Sequence, residues 1–263
     1  MIYAIGDIHG QAAQLDNALG LIEADGGPDA PIVFLGDYTD RGPDSNGVLE
    51  RLIDGQAEGR PWTFIKGNHD RMFVRFLTQG WENDDRISSG LSWLNPRMGG
   101  LMTLASYGVG DGTGAAFLKD RQKVEKLSSV TIDGTPHSMQ ELVSKARNSV
   151  PESHIQFLDT RPLVHQHGDL TFVHAGIRPG IPLTDQDEDD LVWIRKEFIE
   201  DDRDHGTLII HGHTALDHPV NYGNRVNLDG GAGYGRPLIP AVFEGRDCWL
   251  LTEPGRLALN PCG

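Results

Sequence analysis

The chain has 263 residues, enough to bury a large core as one big domain or two small ones. Its 38 acidic residues against 23 basic ones leave a net charge of −15, which excludes a basic field for non-specific binding to nucleic acid or anionic membranes. Two cysteines are too few for a disulfide framework, nothing near them has a zinc spacing, and no apolar run approaches the ~20 residues that span a bilayer.

The first strand opens at Ile2 and Asp7 is already a candidate ligand, which leaves no room for a signal segment and predicts a cytoplasmic protein. Ile2 to Ile5 is closed by Gly6-Asp7-Ile8-His9-Gly10. Leu15, Ala18, Leu19 and Ile22 then recur at helical spacing, and Gly26-Gly27-Pro28 supplies the stop. The second strand, Ile32-Val33-Phe34-Leu35, delivers Gly36-Asp37-Tyr38-Thr39-Asp40-Arg41-Gly42 at its C-terminal end, where open α/β sheets hold ligands. Asn46 is the expected cap of a helix bearing Val48, Leu49, Leu52 and Ile53 and ending at Gly55. Trp62-Thr63-Phe64-Ile65 is closed by Gly67-Asn68-His69-Asp70, and Asp70 opens a helix with Met72, Phe73, Phe76 and Leu77. Three successive β-α units predict a parallel or mixed sheet with helices on its faces.

From about residue 80 to 166 the alternation stops, and the region, including the polar loop 108–114, reads as a helical cap insertion within a single domain spanning 1–263. Ser138 and Glu141 form a capping box ahead of Met139, Leu142, Val143 and Ala146, and Pro151 opens a helix with Ile155 and Leu158. Such a cap either shapes access to a site or covers a sheet edge. Strands resume at Leu170-Thr171-Phe172-Val173, ending in His174-Ala175-Gly176, and at Thr207-Leu208-Ile209-Ile210, ending in His211-Gly212-His213-Thr214. Two further strand-like stretches cover 225–228 and 248–251. The acidic run from Asp185 to Asp190 reads as the first turn of a helix, where carboxylates meet the positive end of the dipole.

Asp7, His9, Asp37, Asn68, His174 and His213 are imidazole, carboxylate and amide donors at strand ends, a set without thiolate that suits manganese, iron or zinc. Six donors suffice for two metal ions if one carboxylate bridges, and Asp37, on the central motif, is the natural bridge. Two ions roughly 3.5–4 Å apart activate water near neutral pH and clamp a phosphoryl group for in-line attack. His69, beside Asn68, is then placed to protonate the leaving oxygen, with Asp40 holding it. Arg41 is the nearest phosphate clamp. His137, His154, His165, His167, His205 and His218 are assigned structural or surface roles.

These five motifs, in this order, resemble those of the calcineurin-like metallophosphoesterases, and within them the phosphoprotein phosphatase branch with its bacterial and lambda-phage members. The resemblance runs from Ile2 to about Gly245. It implies two stacked mixed β-sheets flanked by helices, with two divalent ions, manganese first. It assigns Asp7 and His9 to one ion, Asp37 to both, and Asn68, His174 and His213 to the other, with Asn68 also near the phosphate. It pairs His69 with Asp40 as the acid, and gives Arg41 and Arg195 the phosphate. His211 falls behind the ligands, and Ala215 stands where other two-metal relatives carry a further histidine. Asp70 departs from the glutamate usual in protein phosphatases and matches the aspartate of symmetrical diadenosine tetraphosphatases, whereas Asp40 is the protein-phosphatase residue. The expected function is a phosphomonoesterase acting on phosphoproteins or small phosphomonoesters with broad specificity. The alternatives are a symmetrical diadenosine tetraphosphate hydrolase and a non-catalytic phosphate-binding protein. No nucleic acid or membrane partner is expected.

Overall fold

A computed structural model describes residues 1–87, 89–112, 129–132 and 134–262. The first part of the chain alternates as its periodicity demands: β1 Ile2–Ile5, α1 Ala12–Gly26, β2 Ile32–Phe34, α2 Ser45–Ala57, β3 Trp62–Phe64 and α3 Asn68–Gln79. The middle holds α4 Gly100–Ser106, the hairpin β4 Ser129–Ile132 with β5 Thr135–Ser138, then α5 Met139–Ser149 and α6 Glu152–Asp159. The last part runs β6 Val164–His167, β7 Leu170–Val173, α7 Glu188–Trp193, α8 Lys196–Ile199, β8 Leu208–His211, β9 Val220–Asn221, β10 Arg225–Asn227, β11 Ala241–Glu244, β12 Asp247–Thr252 and β13 Gly255–Ala258.

Two mixed sheets result. The first has the order β13-β12-β11-β1-β2-β3, with β1, β2 and β3 parallel, and the second β6-β7-β8-β10-β9, with β7, β8 and β10 parallel. The two-residue period of a strand decides which side chain goes where. Ile2, Ala4, Val33 and Leu35 turn inward and meet Phe172, Leu208, Ile210 and Val226 of the second sheet. Their neighbours Tyr3, Ile5, Ile32 and Phe34 turn outward under α1, α2 and α3. Ile209 and Val173 likewise turn outward, under Leu191 and Phe198 of α7 and α8. Strands buried on both faces need unbroken apolar runs, which is why Ile32-Val33-Phe34-Leu35 shows no alternation.

The fold class is thus the expected one, with local differences. Asp44, not Asn46, caps α2: its Oδ1 accepts from Gly47 N at 2.8 Å, and Asn46 lies inside the helix, which continues past Gly55 to Ala57. The helix α3 starts at Asn68 rather than Asp70, with Gly67 at its N-cap, so Asn68 and His69 sit in its first turn. Pro151 occupies the N-cap of α6, one residue before the helix. The Ser138–Glu141 capping box opens α5. Strand β6 belongs to the second sheet although it begins inside the span assigned to the cap. β9 is too short and β13 too exposed to stand out by periodicity, and β11, as long as β1 and nearly as apolar, is a further strand. Residues 113 and 114 of the expected polar loop lie outside the described residues.

The middle segment packs α4, α5 and α6 on α2 and α3, the helices that cover the outer face of the first sheet. The acidic run is explained more fully by ion pairs than by its helix alone: Arg71 binds Asp84 and Asp189, while Arg178 and Arg86 bind Asp190. Buried Arg71 therefore fastens α3 to α7. Among the described residues no helix is long and apolar enough to cross a membrane.

Phe172 meets Phe243 edge-on, with ring centroids 6.1 Å apart, where the two sheets face each other. Phe172→Ala leaves a cavity that neither sheet can close, and is expected to lower unfolding free energy by about 3–5 kcal/mol. Urea unfolding with an unchanged denaturant slope checks this.

Candidate metal centre

The parallel strands of both sheets end at one place. After β1 comes Asp7, after β2 Asp37, after β3 Asn68, after β7 His174, after β8 His213 and after β10 Asp229, all of them buried. Glycine makes the convergence possible. Gly36, at φ +95°, lets the chain pass so close to β3 that an added Cβ would lie 2.6 Å from Gly67 N, and a Cβ on Gly212 would strike Asp7 Oδ1. Backbone bonds lock the ends together: Ile8 N and His9 N donate to Asp37 O at 3.1 and 2.8 Å, and Gly212 N donates to His174 O at 2.8 Å.

Asp70, without an evident role in the sequence, holds the second motif to the third. Its carboxylate accepts from Asp37 N at 2.8 Å, Tyr38 N at 2.9 Å and Gly67 N at 3.1 Å. Burial pushes the Asp70 carboxyl up to about 6, and these same backbone donors oppose the shift. His69 N in turn donates to Asp37 Oδ1 at 2.9 Å, so the third motif holds both the backbone and the carboxylate of Asp37.

Two groups of donors could each hold a metal ion: His9, Asp37 and His69, and Asp37, His174 and His213, with the ligand atoms of each group within 4.8 Å of one another. Asp37 is common to both. Its Oδ2 lies 3.6 Å from His9 Nε2 and its Oδ1 lies 3.4 Å from His174 Nε2. Asp7 stands beside the first group, with Oδ2 3.9 Å from His9 Nε2, and receives His213 N at 3.0 Å. Asn68 Oδ1 faces His174 Nε2 at 2.9 Å and His213 Nδ1 at 2.8 Å.

The donor set fits cations on two grounds. His9 Nδ1 donates to Thr39 O and His174 Nδ1 to Leu35 O, each at 2.8 Å, which leaves the Nε2 of each neutral ring as a lone pair. His174 Nε2 and Asn68 Oδ1 are therefore two acceptors in contact, an arrangement that a cation between them relieves. Asp7, Asp37, Asp40, Asp70 and Asp229 also gather five carboxyl groups in the buried interior. Burial drives Asp7 and Asp37 well above the usual carboxylate range, and holds His9, His174 and His213 well below the usual histidine value, in the neutral form that binds metal.

Asp40 and His69 form a buried pair, Oδ2 to Nδ1 at 2.6 Å. Asp40 also accepts from Trp93 Nε1 and Thr103 Oγ1, both at 2.7 Å. Burial pushes the Asp40 carboxyl up to about 8, and the Thr103 and Trp93 donors oppose that shift. Both donors come from the segment read as a cap, which therefore reaches the site from the outer face of the first sheet. Arg41 turns its guanidinium toward His9 Nε2 and, at 3.0 Å, toward His69 Nε2. Its Nε is buried without a hydrogen-bond partner. Arg195 lines the same opening as Arg41, and the acidic run, engaged elsewhere, leaves it there. His211 is buried behind the cluster, its pKa pushed down to about 3 by burial.

Sequence reasoning missed the loop 229–236. Asp229 stands just past β10 and ahead of Gly230, the reverse of the glycine-then-ligand order after β1, β2 and β3, so a carboxylate at a strand end was the only available signal. Its carboxyl lies against Asp7. Gly233 packs so closely on His9 that an added Cβ would lie 2.6 Å from its ring, and Tyr234 and Arg236 follow at the mouth. Among the described residues, the non-glycine residues with left-handed φ are His9, Asp37, Asp40, Arg41 and His213, every one of them a site residue. Such conformations cost of order 1–3 kcal/mol each and persist where the surroundings over-determine them.

Residues 1–235 match the model of the calcineurin-like phosphoesterases, and the chain belongs to that family of hydrolases acting on phosphoesters. It is 26% identical over 262 residues to the asymmetrical bis(5'-nucleosyl)-tetraphosphatase PrpE of Bacillus subtilis (strain 168), covering 91% of this chain and 89% of that one. It is 24% identical over 281 residues to the protein of that name from Bacillus cereus (strain AH187), covering 98% and 95%. Among solved structures it resembles a cold-active protein-tyrosine phosphatase of a psychrophilic Shewanella species, with a TM-score of 0.57, 15% identity, and coverage of 98% of this chain and 80% of that one.

Removing the Asp70 carboxylate orphans three buried backbone donors, at ~1–3 kcal/mol each. Asp70→Ala is accordingly expected to lower the unfolding midpoint and to bind manganese more weakly than the parent. Denaturant titration and calorimetric metal titration check both.

Proposed function

We propose that this chain hydrolyses phosphate-linked nucleotides, bis(5'-nucleosyl) tetraphosphates first among them, with two divalent ions held by Asp7, His9, Asp37, Asn68, His174 and His213. The observation that carries the two-ion reading is the position of Asp37, whose two carboxylate oxygens face histidines of different donor groups. Manganese, iron or zinc would supply Lewis-acid charge and lower the pKa of water at the site. The names of the Bacillus relatives support the nucleotide substrate.

The chain's own groups do the rest. Arg41 and Arg195 take the non-bridging oxygens of the scissile phosphoryl group, the task for which a forked guanidinium is suited. His69 directs Nδ1–H to Asp40 and turns Nε2 to the opening. In the imidazolium form, which the Asp40 carboxylate stabilises, Nε2 carries the second proton, gives it to the leaving oxygen, and leaves the ring neutral. Trp93 and Thr103 fix Asp40 in place, and so act on His69 through it.

A second reading, a phosphomonoesterase acting on phosphoserine, phosphothreonine, phosphotyrosine or small phosphomonoesters, is favoured by that His69–Asp40 pair. An alkoxide leaving group needs a proton, whereas a leaving nucleoside phosphate needs one much less.

On the two-ion reading, elemental analysis is expected to find two divalent ions per chain, and Asp37→Asn, which removes a carboxylate shared by both donor groups, to lose both. One ion that survives the substitution overturns the two-ion reading. Side-by-side kcat/KM with manganese, on diadenosine tetraphosphate, p-nitrophenyl phosphate and phosphopeptides, separates the two substrate readings: a preference of about 10² or more for the dinucleotide supports the first. His69→Asn is expected to lower kcat on alkyl phosphates by about 10²–10⁴ and on p-nitrophenyl phosphate far less, and Trp93→Phe to follow the same pattern more weakly.

A further inference from the structure

The opening beside the donor groups, about 350 Å³, is lined by Arg41, Arg195, His213, Thr214, Ala215, Tyr234 and Arg236. Three guanidinium groups at one mouth are more than a single phosphoryl group uses, and they stand on a protein whose net charge is −15. Arg236 is held by Asp217, Nη2 to Oδ1 at 2.7 Å, but Asp217 is 83% exposed. An ion pair so open to water is worth little, and the guanidinium can turn to an incoming phosphate at small cost.

Beside it stands Tyr234, 60% exposed, with the Arg41 guanidinium 4.9 Å from its ring centroid. Its exposure does not come from a loose loop. Asp229 Oδ1 accepts from Gly231 N at 2.9 Å, Tyr234 N and Arg236 N donate to Gly231 O at 2.9 and 3.2 Å, and Gln11 Nε2 donates to Ala232 O at 3.2 Å. An aromatic ring held out on a braced loop, next to an arginine at the mouth of a phosphoryl site, is a preformed surface for a flat base carrying a phosphate.

We propose that Tyr234 and Arg236 form the subsite for the nucleotide that lies beyond the scissile phosphoryl group, Arg236 holding a second phosphate and the Tyr234 ring stacking on the base. The subsite rests on the nucleotide reading only for the bond that is cut. Recognition here needs a polyphosphate and a planar base together, which p-nitrophenyl phosphate and tripolyphosphate each supply in part.

The test compares the manganese-loaded parent with Arg236→Ala, Tyr234→Ala and Tyr234→Phe. The ratio of kcat/KM on diadenosine tetraphosphate to that on p-nitrophenyl phosphate is expected to fall about tenfold in Arg236→Ala and in Tyr234→Ala, and to hold in Tyr234→Phe, which keeps the stacking face. Competition by tripolyphosphate should weaken in Arg236→Ala and not in Tyr234→Ala. Equal losses on all substrates would make the loop merely structural and overturn the proposal, as would losses confined to phosphopeptides. Calorimetric titration of ADP separates this subsite from the reaction. If the parent leaves diadenosine tetraphosphate intact yet binds ADP about tenfold more tightly than Arg236→Ala and Tyr234→Ala, the substrate assignment falls and the subsite stands. If ADP binds all four proteins alike, the subsite falls.

Discussion

Three backbone N–H groups from two strand ends converge on the carboxylate of Asp70, and the geometry of the donor cluster depends on that convergence. Glycine at 36 and 67 brings the second and third strands too close for any side chain between them, and Asp70 supplies the acceptor that the crowded amides need. Asp37 is thereby held in a left-handed conformation, uncommon outside glycine though one that aspartate tolerates. With its backbone fixed by Asp70 and its carboxylate by His69 N, Asp37 offers one oxygen to each donor group. The strain concentrated in His9, Asp37, Asp40, Arg41 and His213 is compensated by the two-sheet core on which they stand.

Burial sets the electrostatics in one direction. The same desolvation that raises Asp7 and Asp37 depresses His9, His174 and His213, and the two effects produce a site of neutral imidazoles and carboxyl groups that resist ionisation while no cation is beside them. Such a constellation is poor structural material by itself, since buried carboxylates with few cations nearby oppose folding. It becomes favourable when divalent charge is added, which couples stability to metal loading. Arg41, turned onto the free nitrogens of His9 and His69, is the nearest cation the chain provides.

Two stretches far from the ligand motifs complete the site. Trp93 and Thr103 enter from the middle segment to grip Asp40 and so bear on His69, and the described residues of that segment do not line the opening. The loop 229–236 enters from the end of β10, placing Asp229 on Asp7, Gly233 on His9 and Tyr234 on Arg41. Of these additions only Tyr234 and Arg236 line the mouth, whereas Trp93, Thr103, Asp229 and Gly233 bear on the donor cluster itself.

Much of this was legible in the linear chain. Apolar runs, their closing glycines and the identity of the donors are local properties, and they led directly to β1, β2, β3, β7 and β8 and to the six residues gathered at their ends. Helix α2 shows the limit of local reading, because Asp44 and Asn46 are equally good caps until the backbone shows which oxygen reaches Gly47 N. The job of Asp70 was invisible, since its partners are amides and carry no side-chain signature. Trp93, Thr103, Tyr234 and Arg236 were equally unreadable, as an indole, a hydroxyl, a phenol and a guanidinium in irregular segments look like core or surface. Their roles come from where the chain returns, 53 residues after Asp40 for Trp93 and 63 for Thr103. Local spacing determines which atoms can bind a metal and on which kind of element they sit. Only tertiary packing decides which distant groups orient those atoms and border the space where the substrate must lie, because those contacts join residues with no shared periodicity.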